Sequence, residues 1–453
     1  MTTNVSSYRE RLERIALAPT IRTHWSYNLF MVAMSLIVLW GLFAWYTQLR
    51  HGLKVTGLND MVPWGIYMTN FVFFIGISYA GTLLSGILRI TQAGWRTPVT
   101  RMAEIITVVG LIVGSVQIVF DNGRPDRLLN MIIYGRFQSA FVWDMLSITT
   151  YLTGAIIYLY VPLIPDIALM RDRLGPTAAP WKLWMYRVLA VGWIGTQEQK
   201  RRLNKAIGIL AVMLIPIAVS AHTVLSWIFG MTLRPGWNST IFGPYFVVGA
   251  VFSGIAGILI VMAVFRRVFH LEEYVTEKQF HYLAYLLLAF VGLYAYFSFA
   301  EYLTGWYKLA GEEKELLSML FVGAQAPAFW FFMVGALVVP GLLIALPWTR
   351  TIPNIVLASV LVVVGMWVKR FLIVVPTLEV PMVPTGFGQY SPTWVEWSIT
   401  AGSVAGFMLL FALIGKFFPM VSIWEVAEEE EAEEEKLQTT GSAVGAGAAH
   451  LAR

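Results

Sequence analysis

The chain has 453 residues, 57% of them hydrophobic and only 13% charged, with a mean hydropathy of +0.66. That is too little charge to cover the surface of a soluble protein of this length, so the polytopic membrane class is expected. It has no cysteine, which excludes disulfides, cysteine-held iron–sulfur clusters and covalently attached haem in this chain, and the net charge of +5 matters through its distribution.

In chain order, residues 1–26 carry Arg9, Arg11, Arg14 and Arg22 and no apolar core. Apolar runs near the roughly 20 residues that cross a bilayer follow at 27–48, 63–90, 102–120, 141–163, 206–231, 243–265, 280–304, 319–347, 354–376 and 395–418. The first run is too long for a signal-peptide core and no A-x-A site follows it, so an uncleaved first helix is expected. The connection 166–205 contains PWKLWMYRVLAVGWIG, too short to span. It reads as an amphipathic helix on the membrane surface, anchored by Trp181, Trp184 and Trp193. Residues 425–453, with EVAEEEEAEEEK at their start, read as a solvated acidic tail. Most lysines and arginines fall in the segments on the N-terminal side of the membrane, Arg171 to Lys205 being the densest block. Both termini are therefore expected in the cytoplasm of a bacterial inner-membrane protein.

A weak internal repeat is present. FVFFIGISYAG in the second run is similar to FVVGAVFSGIAG in the sixth, and AFVWDMLSITTYLTGAII in the fourth to AFWFFMVGALVVPGLLIA in the eighth. This predicts an all-α polytopic fold of about ten transmembrane helices, with two duplicated four-helix bundles at 63–232 and 233–376. The segment 27–62 supplies one flanking helix and 377–424 the other. Gly76, Gly81, Ser85 and Gly86, with Gly249, Ser253, Gly254 and Gly257, give small faces for close helix contact. In the repeat Asp144 matches Phe332, so chemistry that depends on Asp144 belongs to the first bundle alone.

Ionisable residues inside membrane helices are expensive, about 2.5–3.5 kcal/mol at the centre on insertion scales. Asp144, in FVWDMLSITTYLTG, reads either as a first-turn carboxylate satisfying helix amides or as a proton acceptor in a ligand pocket, with Trp143 packing the ligand. His222 reads as an interhelical hydrogen bonder, a ligand contact or a proton relay. Asn70 and Tyr79 lie on the second run at different depths. The turn FDNGRPDRLL reads as a solvated loop or, through Asp121, Arg124, Asp126 and Arg127, as a charged lid near Asp144. Glu301, Lys369, Arg370 and Glu396 lie toward the outer side, where Lys369 and Arg370 are expected to snorkel or to pair with Glu301 or Glu396. Glu104 and Arg89, at the inner side, are expected to pair with each other; a cytoplasmic proton entrance is the other reading. Glu104, Arg89, Glu301, Lys369 and Arg370 are the candidates for a proton path. His222 and His281 lie at different depths, which argues against haem b. No nucleotide loop, catalytic triad or metal cluster is seen, and no nucleic-acid partner is expected.

PWGIYMTNFVFFIGISYAGTLLSGIL, FDNGRPDRL, FVWDMLSITTYL with LIPDIALMRDR, and WVKRFLIVVPTLE with YSPTWVEWSITAGSVAGFMLLF resemble the NrfD/PsrC family of quinone-interacting membrane subunits. The likeness spans about residues 25–425. Ten helices and the PDIALMRDR segment look most like the ActC subunits of alternative complex III, although Tyr79 stands where such sequences usually carry histidine. The resemblance implies a quinol-oxidising subunit of a respiratory or photosynthetic complex, with menaquinone or another quinone bound in the first bundle near the outer face. It implies Asp144 as the pocket acid, with Trp143 and the Asp121–Arg124 turn near it; with the readings of the residues themselves, the catalytic candidates are Asp144, His222 and Asp121 and the cofactor-binding candidates Trp143, Tyr79, Asn70 and Arg124. Quinol oxidation releases two electrons and two protons. The protons need a carboxylate, histidine or tyrosine within hydrogen-bond reach. The electrons need a centre for which this chain has no ligands, so a periplasmic iron–sulfur subunit is implied. A cytochrome c type subunit and a second NrfD-like membrane subunit are further implied partners, with the outer loops 121–140 and 376–394 as docking surfaces. The competing readings are a quinone-reducing complex of the same type, a secondary transporter broken at Pro216 or Pro340, and a membrane anchor with an inactive pocket.

Overall fold

A computed structural model describes residues 23–428, apart from 92, 175–178, 273, 309–310 and 384–385. The arginines at 9, 11, 14 and 22 and the acidic run beyond residue 428 lie outside the described residues. Among the described residues there are helices and no strands. They are α1 (Trp25–His51), α2 (Ile66–Ile90), α3 (Thr97–Asp121), α4 (Ala140–Leu174), α5 (Pro180–Leu189), α6 (Gln197–Gly230), α7 (Phe242–Val268), α8 (Glu277–Lys308), α9 (Gly311–Phe321), α10 (Ala326–Ala345), α11 (Ile352–Glu379) and α12 (Trp394–Phe417). All except α5 and α9 are long and apolar enough to cross a membrane, which gives the ten spans expected.

Two boundaries differ from expectation. The run at 319–347 is divided, because α9 ends at Phe321 and α10 starts at Ala326. A Cβ on Gly323 would lie 2.8 Å from Met319 Cα, and Pro327 sits in the first turn of α10, where a missing N–H costs nothing. The fourth run continues well past 163, as a single helix that carries Pro162 and Pro165 inside it. The helix α5 is present where the amphipathic segment was expected. Tyr186 is buried and donates to Phe417 O (3.1 Å), while Trp181 and Trp184 are exposed.

Helices α2, α3, α4 and α6 pack around one another, and so do α7, α8, α10 and α11. The two groups meet where α2 lies against α7 and α11, and α1 and α12 pair with each other and rest on the first group. Helix α2 is apolar all round, as a buried helix should be, and every residue from Ile66 to Ile77 is buried. Its neighbour α3 comes close because glycines leave room: a Cβ on Gly110 would lie 3.0 Å from Phe74 O, and one on Gly114 2.8 Å from Ile75 Cδ1.

The acidic tail departs from expectation at its start. Residues 423–428 are helical, and Glu425, Val426 and Ala427 are buried against the end of the first group at which α2 finishes and α3 begins. They are held by charge as well as by apolar contact, because Arg89 Nη2 donates to Glu425 Oε1.

Candidate functional site

Helix α2 does not run regularly through the first group. Residues Ala80–Leu84 form a π-turn, a feature that frees backbone carbonyls and recurs at functional sites. The carbonyl of Ser78 is used by two neighbours: Thr107 Oγ1 donates to it at 2.6 Å and Tyr151 OH at 3.3 Å. Tyr151 OH also donates to Thr82 Oγ1 at 2.9 Å. Next to this turn the rings of Tyr79 and His222 lie 4.3 Å apart, those of Tyr79 and Tyr151 5.6 Å apart, and the His222 amide donates to Tyr79 OH at 3.1 Å. Tyr79, Tyr151 and His222, from α2, α4 and α6, thus form one buried aromatic cluster.

Asp144 lies on the same face of α4 as Tyr151 and Tyr158, which follow at heptad intervals, and all three are buried. It is 4% exposed. Among the described residues its Oδ1 has no hydrogen-bond partner, so no first-turn amide caps onto this oxygen. His222 is fully buried and neither ring nitrogen has a partner among the described residues. A buried polar atom left unpaired costs roughly 1–3 kcal/mol. The Asp144 carboxylate oxygen and the His222 imidazole are thus two buried groups that still have hydrogen-bonding capacity to give. A carboxylate accepts, and a neutral imidazole both donates and accepts, so Asp144 suits a hydroxyl and His222 suits either a hydroxyl or a carbonyl oxygen.

The other expected site residues are placed elsewhere. Asn70 Nδ2 donates to Thr400 Oγ1 and its Oδ1 accepts from Trp367 Nε1, both at 2.9 Å, so its amide binds α12 and α11. Asp121 lies near Glu396 and Tyr67, and its Oδ1 is buried without a partner among the described residues. Arg124 is exposed and pairs with Asp126 at 2.9 Å, as in a solvated turn. There the guanidinium bonds hold the Asp126 carboxyl below its usual range. Trp143 Nε1 donates to Phe137 O, and its ring meets that of Trp227 edge-on at 6.5 Å.

At the opposite end of the first group the expected Arg89–Glu104 pair is not formed. Arg89 binds Glu425 instead, and Glu104 accepts from Ser85 Oγ at 3.0 Å, which in turn lies 3.1 Å from Tyr158 OH. The residues that sequence reasoning missed complete this end. Arg101 and Asp166, each 1% exposed, pair at 3.1 Å. Arg101 also reaches Pro162 O and Ser422 Oγ, and Asp166 Oδ1 accepts from Trp424 N. The heptad spacing of Asp144, Tyr151 and Tyr158 was the one available signal for the tyrosines.

Lys369 and Arg370 do not snorkel, and among the described residues neither has a carboxylate within ion-pair distance, although Glu301 lies near enough to Lys369 for their charges to interact. Lys369, 3% exposed, donates to Tyr302 OH at 2.7 Å and lies 5.3 Å from the Tyr245 ring, 4.8 Å from that of Tyr302 and 5.5 Å from that of Phe332. Arg370, 1% exposed, reaches Tyr294 OH at 3.5 Å and lies 5.5 Å from the Phe246 ring. It fits in a slot that Gly249 and Gly76 leave open, a Cβ on them falling 3.0 and 3.6 Å from its Nη2. Glu301 accepts from Ser239 Oγ at 2.9 Å. Glu396 caps α12, accepting from Thr393 N at 2.9 Å, Gly57 N at 2.7 Å and Tyr390 OH at 2.6 Å.

Ten crossing helices around a buried acid and a buried imidazole define a multi-pass integral membrane protein with an internal polar site. The chain belongs to the NrfD family: the family model described as polysulphide reductase, NrfD, matches residues 54–381, from just before α2 to just after α11. It is similar to one of the subunits of the selenate reductase of Mesobacillus selenatarsenatis, 24% identical over 87% of this chain and 94% of the relative. It is also similar to a putative membrane subunit of the dimethyl sulfoxide reductase of Halobacterium salinarum, 27% identical over 82% and 86%. A third relative is the integral membrane subunit of a menaquinone reductase from Nitratidesulfovibrio vulgaris, 24% identical over 87% and 93%.

Proposed function

We propose that this chain is the quinone-binding membrane subunit of a multisubunit oxidoreductase, most like ActC of alternative complex III, and that it oxidises menaquinol or a related quinol in the first helix group. The observations that carry the reading are two buried groups on the packed helices α4 and α6, Asp144 Oδ1 and the His222 ring, each without a partner among the described residues and each suited to one oxygen of a quinol head group. A bound quinol supplies two electrons and two protons. Asp144, as a carboxylate, accepts a proton from one hydroxyl, and His222 holds or accepts the other. Tyr79 packs on His222 and fixes the backbone behind it, and Tyr151 fixes the Ser78 carbonyl and Thr82, so the π-turn keeps one shape. Asp121 lies at the same end of the first group as Asp144 but beside Glu396 and Tyr67.

With no cysteine in the chain, the electrons pass to a partner, proposed to be an iron–sulfur subunit on the periplasmic side, with a cytochrome c type subunit and a second NrfD-like chain in the same complex. Both termini are then cytoplasmic, and the Glu104, Ser85, Tyr158 and Arg89 cluster faces the cytoplasm. This places Glu104 and Arg89 at one end of any proton path, and Glu301, Lys369 and Arg370 in the other helix group. The test is menaquinol-dependent reduction of the partner's iron–sulfur centre in the purified complex, together with a count of quinone that co-purifies. A complex with neither quinone nor quinol-dependent reduction overturns the reading.

A second reading, quinone reduction, is favoured by the relative named menaquinone reductase. The same residues then donate protons instead of accepting them. Measuring turnover from both sides, with quinol and a weak acceptor or with quinone and a strong donor, separates the two.

A further inference from the structure

The second helix group has its own cavity, of about 530 Å³, within the range of small-molecule sites. It opens between the segment 236–241 and helices α7, α8, α9 and α11. Its aromatic walls are Trp237, Phe242, Tyr245 and Tyr302, and Leu316, Leu317 and Leu320 of α9 close its apolar side. The charges that line it are Lys308 and Lys369 against Glu301 and Glu313. This balance gives neither an anion nor a cation a net field and favours a neutral, dipolar ring.

The uncommitted hydrogen-bond capacity has the same shape. Trp237 Nε1 is used by Ile373 O at 2.6 Å and Tyr245 OH by Ser298 Oγ at 2.7 Å, so both present rings to the cavity. Tyr302 OH accepts from Lys369 and donates to nothing among the described residues. The Lys369 ammonium has three hydrogens, of which Tyr302 takes one. On the acceptor side, Glu301 uses one oxygen for Ser239, and Glu313 Oε2 is buried without a partner among the described residues. Phe332, which matches Asp144 in the internal repeat, is fully buried and faces Lys369 at 5.5 Å. The second group thus has an aromatic ring beside a lysine in place of the first group's aspartate.

We propose that this cavity is a second binding site for a quinone-type head group, in which Lys369 and Tyr302 donate to one ring oxygen and Glu301 accepts from the other. The proposal rests on the quinone-linked reading above and is independent of the Asp144 pocket. The test uses the complex purified from its own membranes and photolabelled with an azido-naphthoquinone, with labelled peptides located by mass spectrometry. Two labelled regions are expected, one in α4 or α6 and one in 236–245, 301–317 or 369–377. Lys369→Met is expected to lower labelling of the second region about tenfold, the scale of one charge-assisted hydrogen bond, and to leave the first labelled. Glu301→Gln is a second variant, read the same way, should Lys369→Met fail to assemble. Label in the first region alone overturns the second site and leaves the proposed function standing. Label in the second region alone supports the cavity and overturns the Asp144 pocket. Label in neither region overturns both.

Discussion

The hydroxyl of Tyr79 accepts the backbone amide hydrogen of His222 at 3.1 Å, and their rings lie 4.3 Å apart. This contact ties α2 to α6 beside the π-turn. On the proposed function Tyr79 is a positioning residue, since a phenol stays protonated near neutrality and offers no base. Tyr79→Phe keeps the ring contact and removes one hydrogen bond, at a cost of about 0.5–1.5 kcal/mol. The expected outcome is a small drop in the thermal midpoint in detergent and a turnover within about tenfold of the parent. Abolished turnover with an unchanged midpoint would show that the phenol itself moves the proton.

Gly81 stands in the π-turn, where a Cβ would fall 1.9 Å from Ala103 O and 2.1 Å from Thr107 Oγ1. The carbonyl belongs to backbone and cannot yield locally. Gly81→Ala is expected to separate α2 from α3, costing about 1–3 kcal/mol or more, and to lower the yield of assembled complex. Gly208, inside α6, has nothing within 4 Å of its Cβ position. Gly208→Ala is expected to be neutral or stabilising by up to about 1 kcal/mol. Equal midpoints for the two variants would contradict this account of helix packing.

Arg101 and Asp166 form a fully buried ion pair. Asp166→Asn leaves the guanidinium without its counter-charge, and breaking a buried pair from one side costs roughly 3–5 kcal/mol. The double variant Arg101→Leu with Asp166→Leu removes both charges and is expected to lose much less. Thermal unfolding of the purified chain or complex compares them, and a double variant as unstable as the single one would argue against the pair.

Arg124 and Asp126 form an exposed pair on a solvated turn, and such pairs contribute little. Arg124→Ala is therefore expected to keep quinol-dependent turnover within about twofold. A large loss would restore the charged lid.

The spans were legible because apolar runs of membrane length have few alternatives, and Asp144 stood out because a carboxylate in such a run is costly. What the sequence hid depends on local backbone and on distant partners. The π-turn at Ala80–Leu84 has no composition signature, and with it went the Tyr79–His222–Tyr151 cluster. Asn70 looked like a pocket residue by depth, yet the direction of its side chain is set by α11 and α12. Glu425 sits at the head of an acidic stretch that reads as solvated, but Arg89 and the apolar Val426 and Ala427 draw it inside. Arg89 and Glu104 were expected to pair because both lie at the inner ends of neighbouring helices, and Arg89 instead binds a carboxylate more than 300 residues away. Lys369 was expected to snorkel or to pair with a carboxylate; instead it is buried, bonded to the Tyr302 hydroxyl among three aromatic rings, with Glu301 acting on it from beyond ion-pair distance.

On the proposed function the orphaned Asp144 carboxylate accepts a proton from quinol, and the menaquinol-dependent reduction rate of the partner's iron–sulfur centre in purified complexes carrying Asp144→Asn tests this most directly. Asparagine keeps the size and the hydrogen-bonding reach and removes the base. The account predicts a fall of about 10²–10⁴-fold in a complex that assembles with its usual subunits; a rate equal to that of the parent would contradict it.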